Sequence, residues 1–400
     1  MRHLLLSLLV AGPVWAAPVP TGPANVPEFS PAFAGQTRAE AVTSTTALAV
    51  TEVATGLASP WGIAFLPDGR ALVSEKIPGA LRIVDAKGVI SPPVAGVPPV
   101  DARGQGGMMG VGIPGDGFVY WTYAEPRAAT ADTPAGNGLA VARGRLVDGA
   151  QPRMTEVNVI FRMLPTLASA QHFGGRMVFL PGNLMFVTLG ERSILPGRMQ
   201  AQDLGSHFGK IVRIGRDGAV PKDNPFVGAK SGKPGARPEI WSYGHRNILA
   251  AALDGKGRLW ELEHGPKGGD ELNLVVRAGD HGWPTISYGE EYSGKPIGAA
   301  KTQARGMEQP VYYWDPVIAP SGATFVSGKL FPEWRGNLLT GGLASKGLVR
   351  LVLKGDRVVG EERLLSDRGE RIRDVVEGPD GAIWMVTDAE KGKLLRVTPR

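Results

Sequence analysis

One pattern recurs along the chain: a turn rich in Gly, Pro, Asp or Asn, followed by a short run of apolar residues. Pro67-Asp68-Gly69 precedes ALVSE, and Pro114-Gly115-Asp116-Gly117 precedes FVYWTYAE. Pro181-Gly182-Asn183 precedes LMFVTLGE, and Asp254-Gly255-Lys256-Gly257 precedes RLWELEHG. A fifth turn at 332–336 precedes NLLTGGLAS, and Pro379-Asp380-Gly381 precedes AIWMVTD. Apolar stretches such as WGIAF, RMVFL, AAALD, GATFV and DVVEG come before most of the turns, so most units read as β-hairpins. Helical periodicity is almost absent.

Six hairpin units over about 350 residues predict an all-β fold, a six-bladed β-propeller with four-stranded blades. A single unit cannot bury its apolar faces, whereas a ring of units can. The units begin near 67, 114, 181, 254, 332 and 379, a wider spacing than the roughly 40–45 residues of a minimal blade. The surplus falls between the second and fifth turns, so the loops of the middle blades are expected to build the site.

Outside the repeat, residues 1–17 read as a signal peptide. Arg2 and His3 precede an apolar run over residues 4–10, and Val14-Trp15-Ala16 is a small-residue cleavage pattern. That run is too short to span a bilayer, so no membrane insertion is expected, and export to the periplasm or beyond is. Residues 18–46, rich in Pro, Ala and Thr, read as a loosely packed N-terminal arm. The propeller domain is assigned to residues 47–400.

Composition narrows the chemistry. Cysteine is absent, which excludes disulfides, thiolate metal sites and a cysteine nucleophile. The formal net charge of +6 is spread without a run of five basic residues, so no nucleic-acid partner is expected. Basic residues gathered in one pocket would instead suit an anionic small molecule.

The stretch from 168 to 192 organises the candidate chemistry. Gln171 and His172 stand on the loop that enters a hairpin, and the hairpin ends at Gly190-Glu191-Arg192. A loop held by a rigid scaffold is a usual place for a catalytic group. The other second-strand ends carry Glu75-Lys76, Glu263-His264 and Asp388, which either line a site or solvate a rim. Gln105 lies in a Gly-rich loop that lacks the Lys-Ser/Thr of a phosphate loop. Trp241 to Asn247 packs an aromatic, an imidazole, Arg246 and an amide into seven residues, and Arg246 can grip a carboxylate. The loop from Glu263 to Glu271 places glycine and proline carbonyls between acids, which suits a hard cation such as Ca²⁺. Arg371 and Arg373 share one side of a strand. An anion between them, or pairing acids, would relieve their repulsion, and with Asp374 pointing the other way an anionic ligand is expected.

Together these motifs resemble the soluble, pyrroloquinoline quinone (PQQ)-dependent aldose sugar dehydrogenase family, from about Leu48 to the end. The resemblance is carried by the Gln105 loop, Gln171-His-Phe-Gly-Gly-Arg176, Leu189-Gly-Glu-Arg192 and residues 209–214. Residues 241–247, 265–271 and 371–375 complete it. It implies a six-bladed propeller that oxidises aldoses to lactones with PQQ and Ca²⁺. His172 would be the general base, Glu191 the acid that orients it, and Arg246 a contact to cofactor and substrate. Gln105, Gln171, Asn247, Arg371 and Arg373 would join Arg246 in holding the cofactor. The Gly265 and Pro266 carbonyls would coordinate the catalytic Ca²⁺, and Asp270 and Glu271 a structural one. The sequence departs from the family at Ala344, where a cofactor-reaching lysine is usual; Lys346, on the same side of an extended chain, is the expected substitute. Glu191 stands where the family usually has Asp, and Met108-Met109-Gly110 where it has Leu-Leu-Asp. The reaction needs an external electron acceptor, which the sequence leaves open. A Ca²⁺-dependent propeller lactonase and a non-enzymatic binding propeller are the alternatives. The lactonase would need no arginine cluster sized for a tricarboxylate, and the binding module no histidine–carboxylate pair facing a cation loop.

Overall fold

The computed structural model describes residues 17–131, 134–228 and 233–400. The predicted leader therefore lies, apart from Ala17, outside the described residues. Each of the six turns read from the sequence joins the first and second strands of one sheet. The first strands are Pro60–Phe65, Met108–Gly112, Gly174–Leu180, Ile248–Leu253, Pro320–Phe325 and Ile372–Glu377. Each touches the next, and the last touches the first, so they close a ring. These sheets are the six blades of a β-propeller, numbered here one to six in that order.

The second strands are Ala71–Glu75, Val119–Arg127, Leu184–Leu189, Leu259–Glu263, Leu338–Gly342 and Ile383–Thr387. They run antiparallel to the first. Blades two to five continue outward to four strands. In blade one the outermost place is taken by residues 90–94, with Ser91 and Val94 donating to Ile83 and Leu81 of the third strand. Blade six takes its outermost strand from the other end of the chain: Leu48–Ala58 pairs antiparallel with Lys391–Pro399. That pairing closes the ring and makes Leu48–Ala58 the outer strand of blade six.

The second strands are buried on both faces, which explains why they read as continuous apolar runs rather than as alternation. Trp121 and Tyr123 of blade two pack with Leu72 and Leu81 of blade one. Tyr120, pointing the opposite way at period two, packs with Met185 and Val187 of blade three. The same arrangement fills the other junctions. Phe186 meets Leu259 between blades three and four, and Trp260 meets Leu338 between four and five. Leu339 meets Met385 between five and six, and Val386 meets Ile63 between six and one. Each such large side chain, wholly buried, contributes about 1.5–3 kcal/mol, so the junctions themselves hold the ring together.

Residues 17–46 are fastened down, against the expectation of loose packing. Asp315 accepts from the backbone of Asn25 and Val26, the Tyr312 hydroxyl accepts from Ala39, and Ala41 bridges to Glu361. Side chains of blades four and five thus supply the partners that the arm's backbone lacks in its own sequence. No helix among the described residues is long and apolar enough to cross a membrane.

Candidate active site

Because the first strands all leave the same end of the ring, their starting residues gather there with the ends of the second strands. A cavity of about 300 Å³ opens at that end. Every blade contributes to its wall, in order Lys76, Gln105, Phe173, His264, Leu343 and Arg373. The long middle-blade loops are not its main builders, contrary to expectation. Converging strands bring one short turn per blade to the axis. Deeper in, Arg176 of blade three pairs with Asp374 of blade six at 2.7 Å, and Asp374 also accepts from Ile63 of blade one. That buried ion pair ties three blades across the axis.

His172 is buried at 6% exposure and sits in the left-handed region at φ 45°, a conformation worth about 1–3 kcal/mol of strain. Two hydrogen bonds hold it there. Its N–H donates to the Gln105 Oε1 at 2.9 Å, and its carbonyl accepts from the Arg192 N–H at 3.2 Å. Gly190 is required beside it, since a Cβ there would stand 2.3 Å from the His172 carbonyl oxygen. Nδ1 lies 3.0 Å from Glu191 Oε1, and the other Glu191 oxygen accepts the Ser193 N–H. With Nδ1–H donating to the carboxylate, Nε2 keeps its lone pair, and it makes no hydrogen bond among the described residues. Burial lowers the His172 pKa from its usual value, the Arg246 charge lowers it further, and Glu191 opposes both. The ring is therefore a neutral acceptor at neutral pH.

The cavity wall at blades one and six is basic. Arg371 and Arg373 do share a side, and an acid pairs them: Asp388 accepts from Arg371 at 2.6 Å through one oxygen and from Arg373 at 2.7 Å through the other. The anion expected between the arginines is thus supplied in part by the chain. Three cations, counting Lys76, still face one carboxylate. Lys76 donates to the Gly104 carbonyl at 3.2 Å, and burial, then Arg373, lowers its pKa. Lys346 is exposed on the turn after Leu343 and does not line the cavity. Its φ of 60° breaks the extended path that would have kept it on the cavity side. Lys76 provides the wall's lysine instead. Gln171 is likewise exposed and outside the wall.

Arg246 and Asn247 immediately precede the first strand of blade four. The buried Asn247 Oδ1 accepts from Gly174 at 3.2 Å, so it positions the His172 loop rather than facing the cavity. Arg246 donates through Nη1 to the carbonyls of His264 (2.9 Å) and Gly265 (2.7 Å), and Glu263 accepts its N–H. The Gly265 carbonyl proposed for Ca²⁺ is thus already engaged, whereas the Pro266 carbonyl accepts no hydrogen bond among the described residues. A hard cation fits this pair when Arg246 yields one bond. Asp270 does not fit as a metal ligand: Gly265, Ile318 and Ala319 donate their N–H groups to its two oxygens at 2.6–2.8 Å. Burial nevertheless pushes it up to about 7. Glu271 stands with Glu261 and Glu263, and burial pushes both Glu261 and Glu271 up to about 8.

Several lining residues were visible in the sequence only as strand ends. Lys76, His264 and Asp388 close second strands. His264 donates its Nε2–H to the Pro320 carbonyl at 2.9 Å, and burial lowers its pKa to about 3, so the ring is neutral. Trp61, Met109 and Phe173 carry no polar signal; their position at the start of first strands is what places them on the wall.

Comparison with known proteins gives the chain a family. The family model for glucose/sorbosone dehydrogenases matches residues 57–396. The chain belongs to that family. A relative in Escherichia coli strain K12, aldose sugar dehydrogenase YliI, is 41% identical over 347 residues, covering 85% of this chain and 90% of its own. The crystal structure of the soluble Escherichia coli aldose sugar dehydrogenase in its apo form matches 88% of this chain and 100% of its own, at 39% identity and a TM-score of 0.82. The PQQ-bound aldose sugar dehydrogenase of Streptomyces coelicolor matches 89% and 100%, at 28% identity and a TM-score of 0.69. As a glucose/sorbosone dehydrogenase-family protein the chain is an oxidoreductase.

Proposed function

We propose that the protein is a quinoprotein dehydrogenase that oxidises an aldose at its anomeric carbon to the lactone, using PQQ and Ca²⁺. The observation that carries this reading is a neutral imidazole, held by a buried carboxylate and adjoining the lining residues Phe173 and Gly174 of a cavity whose wall also bears Lys76, Arg371 and Arg373. PQQ carries three carboxylates, and clustered charge-assisted donors suit it. When bound it supplies the two-electron acceptor for the hydride that leaves the anomeric carbon. The chain's residues do the rest. His172 Nε2 takes the proton of the anomeric hydroxyl, and Glu191 stabilises the imidazolium formed and fixes the tautomer. Gln105 holds the His172 backbone in place. The Gly265 and Pro266 carbonyls would hold Ca²⁺, which supplies positive charge where negative charge develops. Arg246 spans the region between His172 and that carbonyl pair. The leader-like first residues support export to the periplasm or medium, which N-terminal sequencing of the fractionated protein tests.

Dye-linked glucose oxidation by the purified apoprotein is the direct test. Activity is expected only when PQQ and Ca²⁺ are both added. Lactone hydrolysis without PQQ would favour a hydrolase, and the absence of turnover on every aldose tried, despite PQQ binding, would overturn the proposed substrate.

A further inference from the structure

Blade four contains a second cluster that the proposed reaction does not use. His245, Glu261 and His281 are buried at 0%, 0% and 4% exposure, and one ligand atom of each lies within 4.8 Å of the others. His245 comes from the turn before the first strand, Glu261 from the second strand, and His281 from the long loop after the third. The two imidazole rings stack with centroids 4.4 Å apart.

The hydrogen-bond inventory of this cluster is unusual. His245 Nε2 meets the Ser242 hydroxyl at 2.9 Å, which leaves Nδ1 facing inward. Among the described residues that Nδ1, both nitrogens of His281 and both oxygens of Glu261 have no hydrogen-bond partner, although His245 Nδ1 and Glu261 Oε1 approach to 3.5 Å. A buried polar atom without a partner is destabilising, and buried groups in native proteins are nearly always paired. One ligand atom from each of the three residues lies within 4.8 Å of the others, which indicates a missing binding partner common to the three residues.

We propose that His245, Glu261 and His281 form a binding site for one divalent transition-metal ion of the Zn²⁺ class. Two neutral imidazoles and one carboxylate form a usual donor set for that ion. Ca²⁺ prefers six to eight oxygens and would leave the imidazoles unused. The Ser242 hydroxyl is the outer partner that orients a ligating histidine. Glu263, whose Oε2 lies 3.8 Å from His245 Nδ1, stands ready as a fourth ligand. The nearby Lys210 ammonium opposes a cation, but the carbonyls of Gln200, Ala201 and Phe208 hold it. The ion would tie the loop of His281 and Trp283 to the blade. Arg246, next to His245, lies over Trp283 at 5.3 Å, so the metal would seat that arginine indirectly. The site is independent of the proposed sugar chemistry.

The test uses the full-length protein, treated with chelator and desalted, then titrated with Co²⁺ as a spectroscopic probe. One Co²⁺ per chain is expected, with the visible absorption of nitrogen-ligated cobalt, displaced by Zn²⁺ and not by an equal concentration of Ca²⁺. His281→Phe keeps the stacked ring and removes both nitrogens. It is expected to weaken Co²⁺ binding by at least about 10-fold, the lower bound seen even for outer-shell partners, and to alter the spectrum. Glu261→Gln, nearly isosteric, is the second variant should the first fail to fold. No retained Co²⁺ in the wild-type protein would overturn the proposal. So would displacement by Ca²⁺, or a spectrum and affinity unchanged in folded variants.

Discussion

Glu191 and Glu263 close the second strands of neighbouring blades, and both are buried, yet they serve opposite purposes. Glu191 has a partner for each oxygen, the His172 imidazole and the Ser193 N–H. Glu263 has one backbone donor, from Arg246, and faces Glu261 and Glu271. Burial therefore pushes Glu263 well above the usual carboxylate range, and its two acidic neighbours push the same way. Equal depth in the fold does not decide what a carboxylate does; the inventory of donors around it does. In blade three that inventory is complete except at one atom, His172 Nε2, which is what a proton acceptor requires. In blade four it is short, which is what a cation site requires.

The sharpest way to break this contrast is to remove the open nitrogen. His172→Ala is expected to lower turnover by about 10²–10⁴-fold, with cofactor loading nearly unchanged because the basic wall is intact. Turnover per loaded site near normal would leave the proposed reaction without its base. Arg373→Ala comes next. Losing a charge-assisted contact of about 1.5–3 kcal/mol should weaken PQQ binding by roughly 10- to 100-fold in calorimetric titration. Asp270→Asn separates the two readings of an acid in blade four. An amide nitrogen turned toward the Gly265 N–H, or a lost acceptor, costs about 1–3 kcal/mol, so the melting temperature should drop equally with and without Ca²⁺. A drop seen only with Ca²⁺ would make Asp270 a ligand after all.

The pH dependence gives a smaller effect. The base must be neutral, and burial and Arg246 hold the His172 pKa below its usual 6.5. Activity should therefore persist below pH 6.5 and fall as the pH drops through the folded value, giving an acid limb in kcat/KM. Arg246→Met removes a charge that disfavours the imidazolium, so the limb should move to higher pH whatever happens to the rate. An unmoved limb would assign it to another group. Lys346→Ala should change nothing in PQQ affinity, whereas Lys76→Met should weaken it; the reverse order would return Lys346 to the site.

The sequence by itself determined the repeat. Each turn is punctuated by residues that tolerate its backbone, and each second strand is apolar because a blade is buried on both faces. Those are local properties, so the six hairpins, the loop position of His172 and its distance along the chain to Glu191 were readable. So was the shared side of Arg371 and Arg373, since side-chain direction alternates at a fixed period. Partnership was not readable, because it joins residues far apart in the chain. Asp388 pairs the arginines across a hairpin, Asp270 spends its charge on N–H groups about fifty residues away, and Asp315 and Tyr312 fasten an arm that looked loose. Lys346 turned outward at a single left-handed residue, and Lys76, from blade one, took the place expected for it. Period and turn chemistry act over a few residues, whereas ring closure decides which strand ends meet around one cavity and so which charges find each other.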